Sequence, residues 1–319
     1  MKNFEEFNRE TVNFCKLYNL SVSPDEDIKN RLFCRFYGNI AEAADVPSSL
    51  IKPLKTIIFY LCTMLHEWDN LVEEEGIKES TYKTFIDRMH HRESSIKEAV
   101  QQISLPSELF NNICKSSMEK IKDYFLLEEE AMKFISSEQL ILTLLKKGNC
   151  DFEFYNDIFF KLLKEEYREG LTSFFENYLI VDLIADHITD LKEDIENFTY
   201  NPLLLLYRLY KRQKSPYIET CKALLYEDSY TRLCRDNIMD WFTSLADKEI
   251  REAEKKLEKI NPPELKNLLS LYLNGISEGF SLFKKYDCLT WMEKDRRDLY
   301  ITLMLKPHPW ERLTLNDIG

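Results

Sequence analysis

Apolar residues recur at three- and four-residue spacing along almost the whole chain, with Leu, Glu, Lys and Ala filling the positions between. That rhythm is helical, and little interrupts it. Only 7 glycines occur in 319 residues, too few for architectures that depend on tight turns or phosphate-cradling loops. The pattern places helices over 4–20, from Asp25 through Phe36 to Ala44, and over 54–75. Further helices start near Thr81, Ser107, Phe125, Asp157 and Glu165, and others cover 171–196, 203–211, 217–226, 230–260, 264–286 and 289–306. Pro307 and Pro309 leave an irregular tail. No strand cluster, internal repeat or linker breaks the series, so one all-α domain over residues 1–319, large enough for a substantial core, is expected.

The formal charge of −12 repels polyanions, which makes nucleic acid or an anionic membrane an unsuitable partner. It leaves room for an anionic substrate that arrives with its own divalent ions. The 8 cysteines stand singly, without CxxC or zinc-ligand spacing, and read as small buried residues of a reducing compartment. With no signal-peptide pattern, a cytoplasmic location is expected. No transmembrane segment is expected either, because the apolar run Ile57–Leu65 is too short to span a bilayer.

Two acidic stretches interrupt the most apolar helices. In IIFYLCTMLHEWDNLVEEEG, Asp69 and Glu73 lie four apart on one face, with Glu74 alongside. In NYLIVDLIADHITDLKEDIENFTYNP, Asp182, Asp186, Asp190 and Asp194 recur every fourth residue. Each such step turns a helix by only ~40° and advances ~6 Å, so neighbouring carboxylates share a face. A solvated charged face is the plain alternative, since acidic residues number 55. Against it, Lys192 is the one basic residue inside the second row. Oxygen donors without accompanying Cys point to a hard ion, Mg²⁺ before Zn²⁺.

Paired acidic motifs roughly a hundred residues apart resemble those of class I terpenoid synthases. The resemblance is closest to the bacterial tetraprenyl-β-curcumene synthase type, with motifs D-x-x-D-N-L-x-D and D-Y-x-x-D-x-x-E-D. This chain has H-E-W-D-N-L-V-E from His66 to Glu73 and D-H-I-T-D-L-K-E-D from Asp186 to Asp194. Squalene and phytoene synthases are similar in spacing. Their first motif falls on Asp69, Glu73 and Glu74, and their second on Asp186, Asp190, Glu193, Asp194, Tyr200 and Pro202. The i, i+4, i+8 triad of plant and microbial terpene cyclases matches Asp186, Asp190 and Asp194. The departures are His66 for the leading Asp, Glu for Asp at 73, and Thr189 where head-to-head synthases keep Arg.

The resemblance implies a helical bundle around a central apolar cavity. It also implies a Mg²⁺ site, with Mn²⁺ as a substitute, held by Asp69, Glu73, Glu74, Asp186, Asp190 and Asp194. Asp69 and Asp190 would be the catalytic pair, facing one another across the cavity. Its substrate class is a linear isoprenyl diphosphate, ionised as metal neutralises the leaving diphosphate. Arg35, Arg168, Arg296 and Arg297 are candidate diphosphate ligands, ahead of Lys192. Phe59, Tyr60, Phe174, Phe175 and Tyr178 are candidates to line the cavity and stabilise a carbocation, with ordinary core packing the competing role. His66 and His187 sit inside the acidic clusters as candidate proton carriers. A homodimer is allowed for.

Rival chemistries fail on the residues. No His has a Glu three before it, as a di-iron bundle requires; His90 and His91 precede Arg92 rather than an Asp; and H-E-x-x-H is absent. A cyclase, a prenyltransferase (head-to-head or chain-elongating) and a non-catalytic helical interaction protein remain.

Overall fold

The computed structural model describes residues 36–75, 79–225 and 228–285. The helices expected over 4–20 and 289–306, the tail from Pro307, and Arg35, Arg296 and Arg297 lie outside the described residues, as do the side chains of His66, Asp69, Glu73 and Glu74. Every regular element among the described residues is an α-helix. A helical stretch over 36–43 leads into α1 (Ser48–Glu75), α2 (Glu79–Gln102), α3 (Ser107–Lys133) and α4 (Glu138–Lys147). Then come α5 (Cys150–Leu162), α6 (Glu165–Thr189), α7 (Leu191–Asn197) and α8 (Pro202–Tyr210), followed by α9 (Tyr217–Leu225), α10 (Ser229–Arg235), α11 (Ile238–Leu257) and α12 (Pro263–Lys285).

Four differences from the expected segmentation have local causes. Helix α1 starts at Ser48 and carries Pro53 inside it, because Ile51 and Leu54 on the same face are both buried. The starts expected at Ser107 and Phe125 belong to the single helix α3. Helix α4 was hidden between them and Asp157; its start is marked by Ser137, whose hydroxyl accepts from the Leu140 amide at 3.4 Å. The segment expected as one helix over 230–260 breaks at Asn237, which takes a left-handed φ of 59°.

The buried side chains form one cluster running from Phe36 to Phe283. Helix α6 is at its centre, buried on most sides from Tyr178 to Ala185, and packs most extensively on α11. Helix α1 packs chiefly on α2, and α3 on α5. Leu203, Leu204, Leu205 and Leu206 of α8 are all fully buried, which encloses that short helix as well. No helix among the described residues is long and apolar enough to cross a membrane.

One close approach holds α3, α4 and α6 together. A Cβ on Gly148 would meet Leu183 Cδ2 at 2.6 Å and the Tyr124 hydroxyl at 2.8 Å, although its φ of −64° suits any residue. Gly148→Ala therefore overpacks rather than strains the backbone. We expect a loss of about 1–3 kcal/mol in urea unfolding at unchanged m-value.

Candidate functional site

The carboxylate row sits where α6 ends. Backbone hydrogen bonds from Asp190 N to Asp186 O and from Asp194 N to Asp190 O, both 2.9 Å, carry the i, i+4 register through the break between α6 and α7. Asp186, Asp190 and Asp194 therefore keep one helical line, as the sequence spacing requires. The expected helix over 171–196 is two pieces joined at Asp190, whose φ of −88° and ψ of −2° form the hinge.

A helix C-terminus leaves its last carbonyls short of backbone donors, and here side chains reach three of them, Asp186 O in addition to its bond from Asp190 N. Thr189 Oγ1 donates to Asp186 O at 2.7 Å, Asn201 Nδ2 to His187 O at 2.9 Å, and the buried Tyr230 hydroxyl to Ile188 O at 2.8 Å. Asn201 is fully buried and does more. Its Nδ2 also donates to Asp194 Oδ2 at 2.8 Å, its Oδ1 caps α8 by accepting from Leu203 N, and its amide donates to the Tyr217 hydroxyl. Tyr217 in turn donates to Thr199 O, and Thr199 Oγ1 to Asp194 Oδ1, each at 2.8 Å. These capping residues were missed at the sequence level, although Asn201-Pro202 is a readable helix start: a polar cap followed by a proline in the first turn.

Burial raises the Asp194 carboxyl to about 7; its bonds from Asn201 and Thr199 oppose the rise, and Asp190 and Asp186 add to it. Burial lowers His187 to about 4, against the attraction of Asp186. Its Nε2 is enclosed without a hydrogen-bond partner, and its ring meets Tyr200 edge-on at 5.7 Å. His187 is thus neutral at pH 7 and supplies no charge to the row.

The Asp194 shift makes a signed prediction. The folded chain holds this proton more tightly than the unfolded one, whose carboxyl has its ordinary value of 3.8. The stabilising contribution is full below about pH 4 and is lost as pH rises towards about 7. An Asp194→Asn variant, which cannot ionise, should gain roughly 4 kcal/mol relative to wild type between pH 4 and pH 8. Denaturant unfolding at several pH values checks this.

The remaining candidates are placed unevenly. Arg168 donates from Nε to Leu163 O at 3.0 Å and so caps the end of α5. It lies eighteen residues before Asp186 on the same helix, about 27 Å along the axis at 1.5 Å per residue, too far to hold a diphosphate there. The structure therefore does not bring Arg168 together with Asp186, and its described bond is that of a helix cap. Phe59 is 38% exposed, because Ile57, Ile58 and Leu61 take the inward face of α1; it does not line an interior cavity. Tyr60, Phe174, Phe175 and Tyr178 are buried, and Phe174 stacks on Tyr178 at 5.4 Å in the packed core. Lys192 is half-buried on α7.

Asp69 follows Trp68, which is fully buried against Phe85, Tyr82 and Phe125. Phe125 adjoins Tyr124, whose hydroxyl meets Gly148 beside Leu183 of α6. An aromatic layer from α3 thus lies between Trp68 of α1 and the Leu183 turn of α6. Among the described residues, no three His, Cys, Asp or Glu side chains converge in a group that could hold a metal ion.

A cleft of about 770 Å³ opens elsewhere, between α4, α5, α6 and α11. Of the five aromatics expected to line a cavity only Phe175 borders it, beside Phe160, Leu179 and Ile180, with carboxylates, amides and lysines making up most of the remaining lining. Comparison with protein-family models, with curated proteins and with solved structures returns no match.

Proposed function

We propose that this chain is a Mg²⁺-dependent enzyme of the class I terpenoid synthase type, ionising a linear isoprenyl diphosphate and releasing pyrophosphate. The observation that carries the reading is where the acidic row stands. Asp186 lies in the last turn of a 25-residue helix and Asp190 at its C-cap, the pole where the helix dipole disfavours negative charge, and Asp194 follows one turn on, in α7. The basic residue in that last turn, His187, is held neutral. Bound cations would offset that unfavourable placement, and carboxylate oxygens suit a hard cation.

The residues present fit the ion in donor chemistry but not in number. Asp186 and Asp190 would hold it from the end of α6; Asp194 would join them only by giving up its bonds from Asn201 and Thr199, and the proposal requires Asp69 and Glu73 of α1 to complete the set. For that, both rows must project past the same end of α3. When bound, the metal would neutralise charge on the leaving diphosphate. The buried wall of α6 would keep water away, and the caps on Asp186 O, His187 O and Ile188 O would hold the carboxylates in place.

Cyclisation or elimination and prenyl transfer differ only after ionisation, so products separate them. Purified protein incubated with Mg²⁺ and farnesyl, geranylgeranyl and longer diphosphates should release pyrophosphate. Mass spectrometry of the extract then distinguishes a terpene from a joined or elongated chain. A non-catalytic helical interaction protein is the second reading; no pyrophosphate from any substrate would select it.

A further inference from the structure

We propose that the cleft between α4, α5, α6 and α11 binds a short neutral saccharide. The inference is independent of the isoprenyl reading, since it uses none of the residues of the acidic row.

That the ligand is uncharged follows from the balance of the walls. Glu153 pairs with Lys120 at 3.1 Å, Glu252 with Lys255 at 2.6 Å, and Glu249 with Lys248 at 3.4 Å. Lys120 and Lys161 also attract Asp157, and the remaining carboxylate of the lining, Glu176, is matched in number by Lys146. A cation or an anion entering here meets its own sign as often as the opposite one, whereas a neutral molecule leaves every pair intact.

Two anchored amides point to a ligand rich in hydroxyls. Asn156 borders the cleft and is only 8% exposed. Its Oδ1 accepts from the hydroxyl of Tyr37 at 3.0 Å, and Tyr37 is fully buried, so this half of the amide is tied to the core. The planar amide directs Nδ2 the other way, to the cleft side, where it has no partner among the described residues. Asn177, also in the lining, donates from Nδ2 to the buried Glu249 at 2.6 Å, which leaves its Oδ1 as a fixed acceptor. The cleft thus holds a donor and an acceptor in place before any ligand arrives. A hydroxyl both donates and accepts, and a ring that bears several of them answers such a mixed set.

The apolar part of the lining fits the rest of a sugar. Phe175, Leu179 and Ile180 of α6 are buried and Phe160 of α5 is half-buried, and together they form a strip beside the amides. A sugar ring carries C–H bonds on its faces and hydroxyls at its edge, so its face lies on the strip while its edge reaches the amides. An isoprenyl chain would cover the strip but leave the amides unpaired, and its diphosphate would meet the carboxylates. The volume of about 770 Å³ is that of a small-molecule site.

The test is saturation-transfer NMR on the full-length chain with maltose, cellobiose, lactose and N,N′-diacetylchitobiose as probes. At least one should bind saturably with a Kd of about 1 mM or below. Its affinity should change by less than about twofold between roughly 0.05 and 0.5 M salt, because no charge is exchanged. Asn156→Asp keeps the shape and the bond from Tyr37 but replaces the free donor by an acceptor, and should weaken binding at least roughly tenfold. Phe160→Ala, at the half-buried edge of the strip, should weaken it roughly fivefold and carries the test if Asn156→Asp does not fold. Gln101→Glu, the same amide-to-acid change on the exposed side of α2, should leave affinity within about twofold. The proposal is overturned if none of the four sugars binds at about 20 mM, if neither Asn156→Asp nor Phe160→Ala weakens binding, or if spermidine or citrate binds more tightly than every sugar.

Discussion

Asp190→Ala should reduce Mg²⁺-dependent pyrophosphate release by on the order of 10³-fold while leaving the protein folded. The magnitude is that of removing one electrostatic support for charge that develops on a leaving group. Asp190 joins α6 to α7 through backbone bonds that survive side-chain truncation, and it is half-buried. The fold should lose no more than about 1 kcal/mol, a typical figure for a site away from the packed core. Asp190→Asn, which keeps the shape and removes the charge, should be about as inactive. A pyrophosphate-coupled assay beside a circular-dichroism melt separates loss of catalysis from loss of structure. Activity near wild type in both variants would remove Asp190 from the chemistry.

Asn201→Leu should have the largest effect on stability, about 3–5 kcal/mol. The side chain caps α8 and simultaneously satisfies His187 O and Asp194 Oδ2 inside the protein. A leucine of similar size leaves the Leu203 amide and the His187 carbonyl buried without partners, each worth about 1–3 kcal/mol. It also withdraws the hydrogen bond that holds the Asp194 proton affinity down, so Asp194 should titrate still higher. Denaturant unfolding gives the stability. Carbon-detected NMR of the Asp194 carboxyl gives the titration. A loss below about 1 kcal/mol would mean that water replaces the amide, against its complete burial.

The helical fold class was legible because the apolar period persists over long segments, which is the most dependable signal a single chain carries. Boundaries were less so. Pro53 reads as a stop and proves to lie inside α1, because burial of Ile51 and Leu54 outweighs one lost ladder bond. The break at Asn237 was invisible, since only the left-handed backbone there, not the apolar pattern, divides α10 from α11. For the site, the spacing of Asp186, Asp190 and Asp194 correctly put them on one helical line. It could not tell that Asp194 turns inward to Asn201 and Thr199, because those partners come from beyond the helix end. Arg168 was chosen by residue type alone, which carries no information on its distance from Asp186 along α6 or on its bond to Leu163 O.

Convergence of the two acidic rows on shared ions is best tested by Mn²⁺ affinity, read by electron paramagnetic resonance with pyrophosphate present. Wild type, Asp69→Asn, Asp190→Asn and the double variant complete a cycle. Ions bridged by both carboxylates make the losses non-additive, with a coupling of about 1–3 kcal/mol. Additive losses, or an Asp69→Asn variant that binds Mn²⁺ as wild type does, would mean that the two rows never meet.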